Sequence, residues 1–358
     1  MHSDVRNVLL LQARLRLVIS IICRKTRSTS PFITEPDMEH STALVTGATS
    51  GVGYEAALIL AEEGWREVIV TGRTLARTHE TVTQLAAETG KKIFTPLELN
   101  LDSASSVQSA LDELVKRGRP VDFLLLNAGM VGGKERVLTA AGIEASQSPL
   151  IGHHQLTVGL LHANLLSRNA RIVISGSEGA RGDVPLFSYT DLAQFAAEDH
   201  HDNLIAAVEA LIRSGPTVKY EPNRAYADAK VIVAWWAFAL ARRLPSGMAV
   251  YTVSPGAAPD TKAARNAGPA MRYLMVPLLK LIPGMSHTPK TAARRYVQAA
   301  EFGTDVSGEF FASPPKKFIG PIEAMRHPHF HDGASQEAAW QAIVNVSGVE
   351  YSRPKSSD

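Results

Sequence analysis

The sequence contains a tyrosine and a lysine spaced so that they could act together on a proton. Tyr226 and Lys230 lie at positions i and i+4 of the apolar stretch 223–244, which places both side chains on one face of a predicted helix. A free tyrosine has a pKa near ~10 and is a poor base at neutral pH, whereas a nearby ammonium group favours the phenolate. Taken alone, such a pair is common and usually structural, so its meaning depends on the elements around it.

A glycine-rich loop stands between a predicted strand and a predicted helix. It reads TGATSGVG over 46–53 and follows a short β-branched, apolar run. Gly47 permits a tight turn, and the lack of a Cβ at Gly51 and Gly53 lets backbone approach a pyrophosphate or a helix pack close to a sheet. The helix N-terminus offers unpaired N–H groups to phosphates. No Gly-Lys-Ser/Thr sequence ends the loop, so it is not a nucleoside triphosphate loop, and a purely structural turn is the alternative.

The residue after the second predicted strand bears on cofactor choice. The strand over 66–72 is followed by Arg73, and no acidic residue occurs before Glu80. In dinucleotide-binding folds an acid at this point binds the ribose of NAD, whereas an arginine accommodates the 2′-phosphate of NADP. A guanidinium is a good bidentate partner for a phosphate. The sequence therefore favours NADP(H) over NAD(H), the alternative being that Arg73 is a solvated residue at a helix start.

Strand-like and helix-like segments alternate along most of the chain. The apolar stretch 121–129 has the composition of a strand buried on both faces. Strands that alternate with helices of this length indicate βαβ units. We predict an α/β fold with a doubly wound parallel sheet, that is, a three-layer αβα Rossmann fold. Its predicted strands lie at 42–47, 66–72, 92–99, 121–129, 170–177 and 248–256, and helices are predicted at 53–64, 74–90, 103–118 and 223–244.

With these elements in place, the chain resembles the short-chain dehydrogenase/reductase family, in its short single-domain, retinol-dehydrogenase-like branch. The resemblance covers roughly residues 40–315, and the combination of motifs is highly specific although no single motif is. The matching motifs occur in the family's order and are Thr46-Gly47-x-x-x-Gly51-x-Gly53, Asn127-Ala128-Gly129, Ser177, Tyr226-x-x-x-Lys230 and Pro255-Gly256.

The resemblance implies a role for each of these residues. Tyr226 would be the general acid/base, Ser177 would hold the substrate oxygen, and Lys230 would assist Tyr226 and bind the nicotinamide ribose. Asn127 would lie beside the adenosine side of the cofactor, and the Pro255-Gly256 turn would border the nicotinamide. The full implied cofactor-binding set is Gly47, Thr49, Ser50, Gly51, Val52, Gly53, Arg73, Asn100, Leu101, Asn127, Ala128, Gly129, Tyr226, Lys230, Pro255 and Gly256.

The predicted function follows from these roles. The chain would interconvert a carbonyl and an alcohol by hydride transfer with NADP(H), on a small to medium, rather apolar substrate. The alternative from another class is a nonenzymatic NADP(H)-binding sensor or scaffold protein with the same fold. Loss of turnover with retained cofactor binding in Tyr226→Phe would distinguish the enzyme from the sensor.

Three departures from the family pattern affect this prediction. The usual acid after the third strand is replaced by Asn100-Leu101, and an amide can still accept a hydrogen bond from adenine. An asparagine that supports a relay water is replaced by Pro149, so the relay is either absent or rebuilt, with His153 or His154 as substitutes. An insertion at about 183–220, helical and acidic over 187–215, is expected to form a flap over the substrate or an outer surface feature.

Two apolar stretches suggest contacts beyond the dinucleotide site. The helix over 231–240 is apolar on nearly every face, and we expect its outer face to meet a second subunit in a homodimer or higher homo-oligomer. The segment 270–285 is rich in Met and Leu and could be a mobile lid, a plain core helix or a peripheral membrane contact. No metal site is predicted, because the alternating His327, His329 and His331 lack a fourth ligand.

Composition and charge exclude several other classes. The chain has 358 residues, of which 45% are apolar and 20% charged, as in ordinary globular proteins. Its net charge of +2, without a Lys/Arg block, gives no nucleic-acid footprint, so the expected partner is a small molecule. The single cysteine, Cys23, excludes an intramolecular disulfide and favours a reducing compartment.

The first residues differ from the rest of the chain. We predict an N-terminal extension over 1–37 and a single dehydrogenase domain over 38–358. The stretch 1–30 is rich in arginine and poor in acids, and three interpretations stay open. These are an upstream extension of the gene model with Met38 as the working start, a mitochondrial-type leader, and a peripheral membrane anchor. A cytoplasmic location is favoured, with a mitochondrial one if the extension is a leader.

Overall fold

The strands form where short apolar, β-branched runs can be buried on both faces. The computed structural model describes residues 41–130, 132–185, 187–258 and 286–352. The predicted extension 1–37 and the Met- and Leu-rich segment 270–285 lie outside the described residues. The strands are β1 (Thr42–Val45), β2 (Glu67–Gly72), β3 (Phe94–Glu98), β4 (Val121–Leu126), β5 (Leu166–Ser175), β6 (Ala249–Val253), β7 (Phe310–Ala312) and β8 (Glu323–Ala324).

These strands form one sheet in the order β3-β2-β1-β4-β5-β6-β7-β8. Strands β1 to β7 are parallel and β8 is antiparallel to β7. The strand order reverses between β1 and β4, which is the topological switch point where doubly wound sheets bind their ligands. The predicted doubly wound parallel sheet is confirmed, and it collects the carboxyl ends of β1 to β7 at one edge.

Helices cover both faces of this sheet. They are α1 (Gly51–Glu62), α2 (Leu75–Thr89), α3 (Ala104–Arg117), α4 (Ser148–His162), α5 (Leu192–Asp199), α6 (Leu204–Arg213), α7 (Pro222–Ala241), α8 (Pro289–Gln298) and α9 (Gly333–Ser347). One apolar cluster is built on α1 and α2 with α8, and the other on α3, α4, α6, α7 and α9, which gives the predicted three layers. Strand β4 faces both clusters, with Phe123 and Leu125 in one and Leu124 and Leu126 in the other.

The predicted insertion forms two helices rather than one. His201 and Asp202 adopt positive φ values of 51° and 61°, which end α5 and turn the chain into α6. One face of α6 is buried in the core, and α6 packs against α9. Asp228 of α7 accepts hydrogen bonds from the Thr190 backbone N–H (2.6 Å) and hydroxyl (2.9 Å), which fixes the start of the insertion to the predicted catalytic helix.

The outer face of α7 is covered by the chain's own C-terminal helix. Helix α9 packs along α7, and Trp236 of α7 is fully buried. Trp340 of α9 is 3% exposed and meets Arg243, whose guanidinium lies 4.4 Å from the Trp340 ring. The argument that an all-apolar α7 needs a second subunit is therefore wrong, because an intrachain helix buries that face. The homo-oligomer itself stays a prediction.

Among the helices that the structure describes, none has both the length and the apolar character required to cross a bilayer.

Candidate active site

The glycine loop follows β1 and lies against the loop that follows β4. Gly47 has a φ of +64°, and a Cβ there would lie 2.9 Å from the Cα of Ala128. A Cβ on Gly53 would lie 2.5 Å from Nδ2 of Asn127 and 2.7 Å from the Gly47 carbonyl oxygen. These glycines let the start of α1 and the two loops approach closely at the switch point. The space at Gly53 is filled by protein, so this glycine serves helix packing.

Asn127 and Thr46 hold these two loops together. The Asn127 side-chain amide donates to the Thr46 carbonyl over 2.9 Å, and the Ala128 N–H donates to the Thr46 hydroxyl over 3.0 Å. The amide of Asn127 is thus already engaged in shaping the glycine loop. The position of Asn127 at the carboxyl end of β4 agrees with the sequence analysis, and its contact with a cofactor stays a prediction.

The start of α1 leaves backbone N–H groups without a side-chain cap. Ser50 is the N-cap residue and its hydroxyl makes no capping hydrogen bond. A helix N-terminus of this kind presents N–H groups and a partial positive charge that suit phosphate oxygens. Gly51 has a φ of +63° and begins the helix. The loop therefore fits the pyrophosphate of a dinucleotide, with Thr49 and Val52 on either side of the Ser50–Gly51 turn.

Arg73 lies exposed at the carboxyl end of β2, next to the glycine loop. A Cβ on the preceding Gly72 would lie 2.6 Å from Cγ2 of Thr49, so the two loops touch. Among the described residues, Arg73 has no acidic ion-pair partner, and Arg77 is a second exposed arginine one turn further on. An arginine in this position can reach a phosphate that extends from the glycine loop toward β2.

Asn100 and Leu101 follow β3 at the same edge of the sheet. The Asn100 side-chain oxygen accepts from the Asp102 N–H over 3.2 Å, and Asp102 in turn accepts from the Ser148 hydroxyl over 2.6 Å. A Cβ on Gly152 would lie 2.4 Å from the Leu101 carbonyl oxygen, so α4 packs directly on this turn. Both residues thus shape the turn, and their contact with adenine stays a prediction.

The three predicted catalytic residues come together between β5 and α7. The side chains of Ser177 and Tyr226 lie close enough to interact. Nζ of Lys230 donates to the Ser175 carbonyl over 2.7 Å and lies 5.8 Å from the centre of the Tyr226 ring. The strand end positions Ser177, and one face of α7 positions Tyr226 and Lys230, as the i, i+4 spacing predicts.

Burial controls the ionisation of this group. Desolvation raises the pKa of Tyr226, the hydrogen bond from Ser177 lowers it, and the nearby charge of Glu178 raises it further. Burial lowers the pKa of Lys230 to about 8. In the protein alone, desolvation is therefore the largest influence on the pKa of Tyr226. Tyr226 is a neutral phenol at pH 7, which is the form that donates a proton.

A small cavity lies beside Lys230 and the Pro149 position where the family's relay asparagine is missing. It offers about 10 Å³ to the centre of a water molecule, which is room for one, and Pro149, His153, Ser146 and Lys230 are among its lining residues. His153 bonds the Thr46 hydroxyl over 2.9 Å, and burial lowers its pKa to about 3. His153 is therefore neutral at pH 7 and does not titrate near neutrality as a relay histidine would.

His154 does not face this cavity. Its two ring nitrogens bond Trp236 and the Val349 carbonyl, on the side of the helix that packs against α7 and the chain after α9. Burial lowers the pKa of His154 to about 4. The proposed substitution of His154 for the missing asparagine is therefore wrong, and its role is structural.

The turn after β6 completes the edge of the sheet. Gly256 has a φ of +74°, and a Cβ there would lie 2.2 Å from Nε2 of His287 and 2.7 Å from Nη1 of Arg295. Only glycine fits between these two side chains in this backbone conformation. The Gly256 N–H donates to the Ser254 hydroxyl over 3.2 Å. Pro255 and Gly256 thus lie on a turn supported from below by charged and polar groups.

The sequence analysis missed those groups. Glu178, which directly follows Ser177, is 4% exposed, and Arg295 of α8 is 5% exposed. Glu178 accepts from the Ser313 hydroxyl over 2.8 Å and from the Ser254 hydroxyl, and it lies 3.4 Å from Arg295. The position of Glu178 beside Ser177 was a usable signal. Nothing in the sequence pattern marks Arg295, which lies 117 residues away.

The three alternating histidines do not converge on one point. Two of them form hydrogen bonds with different backbone carbonyls, and the third lies near an aspartate. His329 bonds the Ala180 carbonyl over 2.9 Å and His331 bonds the Met325 carbonyl over 3.0 Å. His327 lies 3.7 Å from Asp183. Within the described part of the chain, no group of three or more His, Cys, Asp or Glu side chains could hold a metal ion.

The chain is similar in sequence to known oxidoreductases. A sequence model described as short chain dehydrogenase matches residues 41–190. Three relatives match over longer stretches. The WW domain-containing oxidoreductase of Drosophila melanogaster is 30% identical over 234 residues, which are 64% of this chain and 52% of the relative. The chloroplastic protochlorophyllide reductase of Cucumis sativus is 28% identical over 350 residues (92% and 85%), and human retinol dehydrogenase 13 is 27% identical over 285 residues (78% of each).

The chain thus spans about half the length of the first of these relatives and most of the other two.

Solved structures share the fold. An uncharacterized protein from Mycobacterium paratuberculosis has a TM-score of 0.62 at 21% identity, covering 88% of this chain and 95% of that one. Actinorhodin polyketide ketoreductase with NADPH has a TM-score of 0.54 at 22% identity, covering 76% and 95%. These matches support the assignment of the chain to the short-chain dehydrogenase family and an NAD(P)-dependent oxidoreductase activity on alcohol or carbonyl groups.

Proposed function

We propose that this protein interconverts a carbonyl and an alcohol by hydride transfer with NADP(H), with Tyr226 as the general acid/base. The observation that carries the proposal is the neutral phenol of Tyr226, which lies on the same side of α7 as Lys230 and next to the Ser177 side chain. A phenol held in this form can donate its proton to the oxygen of a carbonyl as that oxygen gains charge. A nicotinamide dinucleotide bound at the glycine loop would supply the hydride in this direction and accept it in the other.

Ser177 and Lys230 support this role of Tyr226. The Ser177 hydroxyl can orient a substrate oxygen toward the phenol, since the two side chains lie close together. Lys230, with a pKa of about 8, is mostly an ammonium at pH 7 and keeps a positive charge beside the Tyr226 ring. That charge favours the phenolate which remains after proton donation.

The cofactor preference rests on the loop after β2. Arg73 is exposed beside the glycine loop, and the Glu98 carboxylate at the end of β3 is engaged by the Leu75 N–H over 2.8 Å. The solved structures with this fold include complexes with NADPH and NADP. These points favour NADP(H) over NAD(H). The residues proposed to hold NADP(H) are the sixteen that the family resemblance implies, beginning with Gly47 and ending with Gly256.

The substrate class is proposed from the walls around Tyr226. The Phe187 ring lies 6.0 Å from the Tyr226 ring and gives this side of the site an apolar wall. Two relatives are named for retinol and for protochlorophyllide. A small to medium apolar carbonyl compound or alcohol fits these observations.

A nonenzymatic NADP(H)-binding sensor or scaffold is the second candidate. It is favoured by Pro149, which lines the cavity beside Lys230 without offering a side-chain hydrogen bond. Both candidates bind the cofactor, so only turnover separates them. The test compares wild type with Tyr226→Phe for NADPH-dependent reduction of 4-nitrobenzaldehyde, decanal and cyclohexanone. Turnover that Tyr226→Phe loses by ~100-fold or more, with NADPH binding retained, supports the enzyme. A wild type that reduces none of these compounds favours the sensor.

We propose that the chain forms a homo-oligomer, through a surface other than the face of α7 that α9 covers. We also propose that the chain consists of an N-terminal extension over 1–37 and a dehydrogenase domain over 38–358. A cytoplasmic location is favoured, and a mitochondrial one follows if the extension is a leader. Light scattering on protein that starts at Met38, and localisation of full-length and truncated fusions, test these points.

A further inference from the structure

A buried charged pair joins three strand ends beneath the predicted active site. Glu178 follows Ser177 at the end of β5, Ser254 follows β6, and Ser313 follows β7. The Glu178 carboxylate accepts from the Ser254 hydroxyl, from the Ser313 hydroxyl over 2.8 Å and from the Ser313 N–H over 3.3 Å. Glu178, which directly follows Ser177, is therefore hydrogen-bonded to the residues that follow the neighbouring strands β6 and β7.

Arg295 completes this connection from the other face of the sheet. Its guanidinium lies 3.4 Å from Glu178 and donates to the Ser254 carbonyl over 3.1 Å and the Ser313 hydroxyl over 3.0 Å. It also donates to the Gly320 carbonyl over 2.7 Å. The side chains of Glu178 and Arg295 are only 5% and 6% exposed. A buried pair of this kind requires nearly complete hydrogen bonding, and here both groups have it.

The pair also supports the turn that carries Gly256. Nη1 of Arg295 would lie 2.7 Å from a Cβ at Gly256, so the guanidinium is packed directly under this turn. Ser254, which Glu178 and Arg295 both bind, accepts from the Gly256 N–H. Displacement of either charged side chain would therefore be transmitted to Ser177 on one side and to Gly256 on the other.

We propose that Glu178 and Arg295 are positioning residues that hold Ser177 and the Pro255-Gly256 turn in one fixed arrangement. The proposal rests on the proposed function, because it assigns Ser177 to the substrate side and Gly256 to the cofactor side of the site. Neither Glu178 nor Arg295 needs to touch the substrate. They act through the backbone that follows β5 and β6.

The pair has an electrostatic consequence for Tyr226. The charge of Glu178 raises the pKa of Tyr226, so its removal would leave the positive charge of Arg295 and lower that pKa. Removal of Arg295 would have the opposite effect. Other titratable or charged groups that face the pair or Tyr226 are Arg181, His287, Tyr296 and Lys230.

The test uses Glu178→Gln, Arg295→Gln and the double variant, with Glu67→Gln as the matched control. Glu67 is also largely buried and pairs with Arg117, at the start of β2 and hence at the opposite edge of the sheet. Oxidation of benzyl alcohol with NADP⁺ and reduction of 4-nitrobenzaldehyde with NADPH are measured against pH. We expect each single variant to lower kcat by ~10-fold or more, because misplaced groups lose orientation. We expect Glu67→Gln to keep kcat within ~2-fold of wild type.

The pH profiles test the direction in which each charged side chain shifts the pKa of Tyr226. In alcohol oxidation, the pH of half-maximal rate should fall by ~0.5–1 unit in Glu178→Gln, rise in Arg295→Gln and return near the wild-type value in the double variant. Unchanged profiles in all three variants, or kcat values equal to those of Glu67→Gln, would overturn the proposal. If the single variants fail to fold, Ser313→Ala removes the hydroxyl that both charged groups bind. It should lower kcat by ~3-fold or more without moving the profile.

A readout that needs no turnover separates this inference from the proposed function. Hydrogen exchange of the amides in 177–180 and 254–257 should accelerate together in Glu178→Gln, and neither should change in Glu67→Gln. Acceleration at one segment alone contradicts a shared support. If wild type catalyses no reduction but the two segments still respond together, the proposed function fails and the positioning role stands. If wild type turns over and the segments do not respond, the positioning role fails alone.

Discussion

Trp236 donates its indole N–H to Nδ1 of His154 over 3.1 Å, deep between α4 and α7. Nε2 of the same histidine bonds the Val349 carbonyl over 2.8 Å. Because a donor reaches one ring nitrogen and an acceptor faces the other, the ring must be the neutral form with its proton on Nε2. His154 therefore connects α4, α7 and the chain after α9 only while it is uncharged.

This relationship predicts a loss of stability in acid. Burial lowers the pKa of His154 from 6.5 to about 4, so the unfolded chain takes up a proton first as the pH falls below 6.5. Between pH 7 and pH 5 this residue alone should cost about 2 kcal/mol of unfolding free energy. His154→Gln keeps a donor and an acceptor and should flatten that part of the pH dependence. Urea unfolding at the two pH values, with exposed His79→Gln as control, measures the difference. If the unfolding free energy of His154→Gln falls between pH 7 and pH 5 as steeply as that of wild type, the prediction is contradicted.

Asp228 should make the folded protein more stable, rather than less stable, as the pH falls. Burial raises its pKa to about 6, against 3.8 as the ordinary value, so the folded protein binds the proton more tightly. Stability from this group therefore increases as the pH falls from 7 to 5, by about 1 kcal/mol.

Asp228→Asn tests this sign. The amide keeps an acceptor for the Thr190 N–H and gains a donor for its hydroxyl, so the variant should be at least as stable as wild type at pH 7. It should lose more stability than wild type on acidification. A variant that is less stable at pH 7 and has the wild-type slope would show that the carboxylate is not penalised by burial. Urea midpoints at pH 5, 6 and 7 decide between these outcomes.

Arg73 should discriminate between the two nicotinamide cofactors. Arg73→Ala removes a charged partner for a 2′-phosphate and should raise the Kd for NADPH by ~10–100-fold while leaving that for NADH nearly unchanged. Arg168→Ala, an exposed arginine at the amino edge of β5, is the control. Fluorescence titration gives both constants. Equal losses for the two cofactors would assign Arg73 a general structural role, and no loss would remove it from the site.

Trp340 should be required for the packing of α9 on α7. Its ring lies 5.2 Å from that of His154, and the side chain is almost completely buried. Trp340→Ala should lower the free energy of unfolding by about 3–5 kcal/mol, as expected for a buried aromatic residue. Gln341→Ala, on the outer side of the same helix, should stay within ~0.5 kcal/mol of wild type. Thermal unfolding measures both, and a mild effect of Trp340→Ala would mean that α9 is not essential to the core.

Much of the fold could be predicted because its signals are local. The apolar runs give β1, β2 and β4 to within a few residues, and the Ser103 hydroxyl caps α3 as its sequence indicates. The insertion was harder to predict, since its helical pattern continues through 200–203 while the backbone turns there at His201 and Asp202. Backbone conformations with positive φ at non-glycine residues have only a weak sequence signal.

The sequence by itself determined the strand and helix alternation, the glycine loop and the shared helix face of Tyr226 and Lys230, because these depend on spacing along the chain. Only the tertiary structure decided the ionisation of Tyr226, since desolvation depends on everything packed around the phenol. It also decided that α9 covers α7, and that Arg295 reaches Glu178 across 117 residues. Contacts between distant segments follow from how the layers close around the sheet, and no local pattern records them.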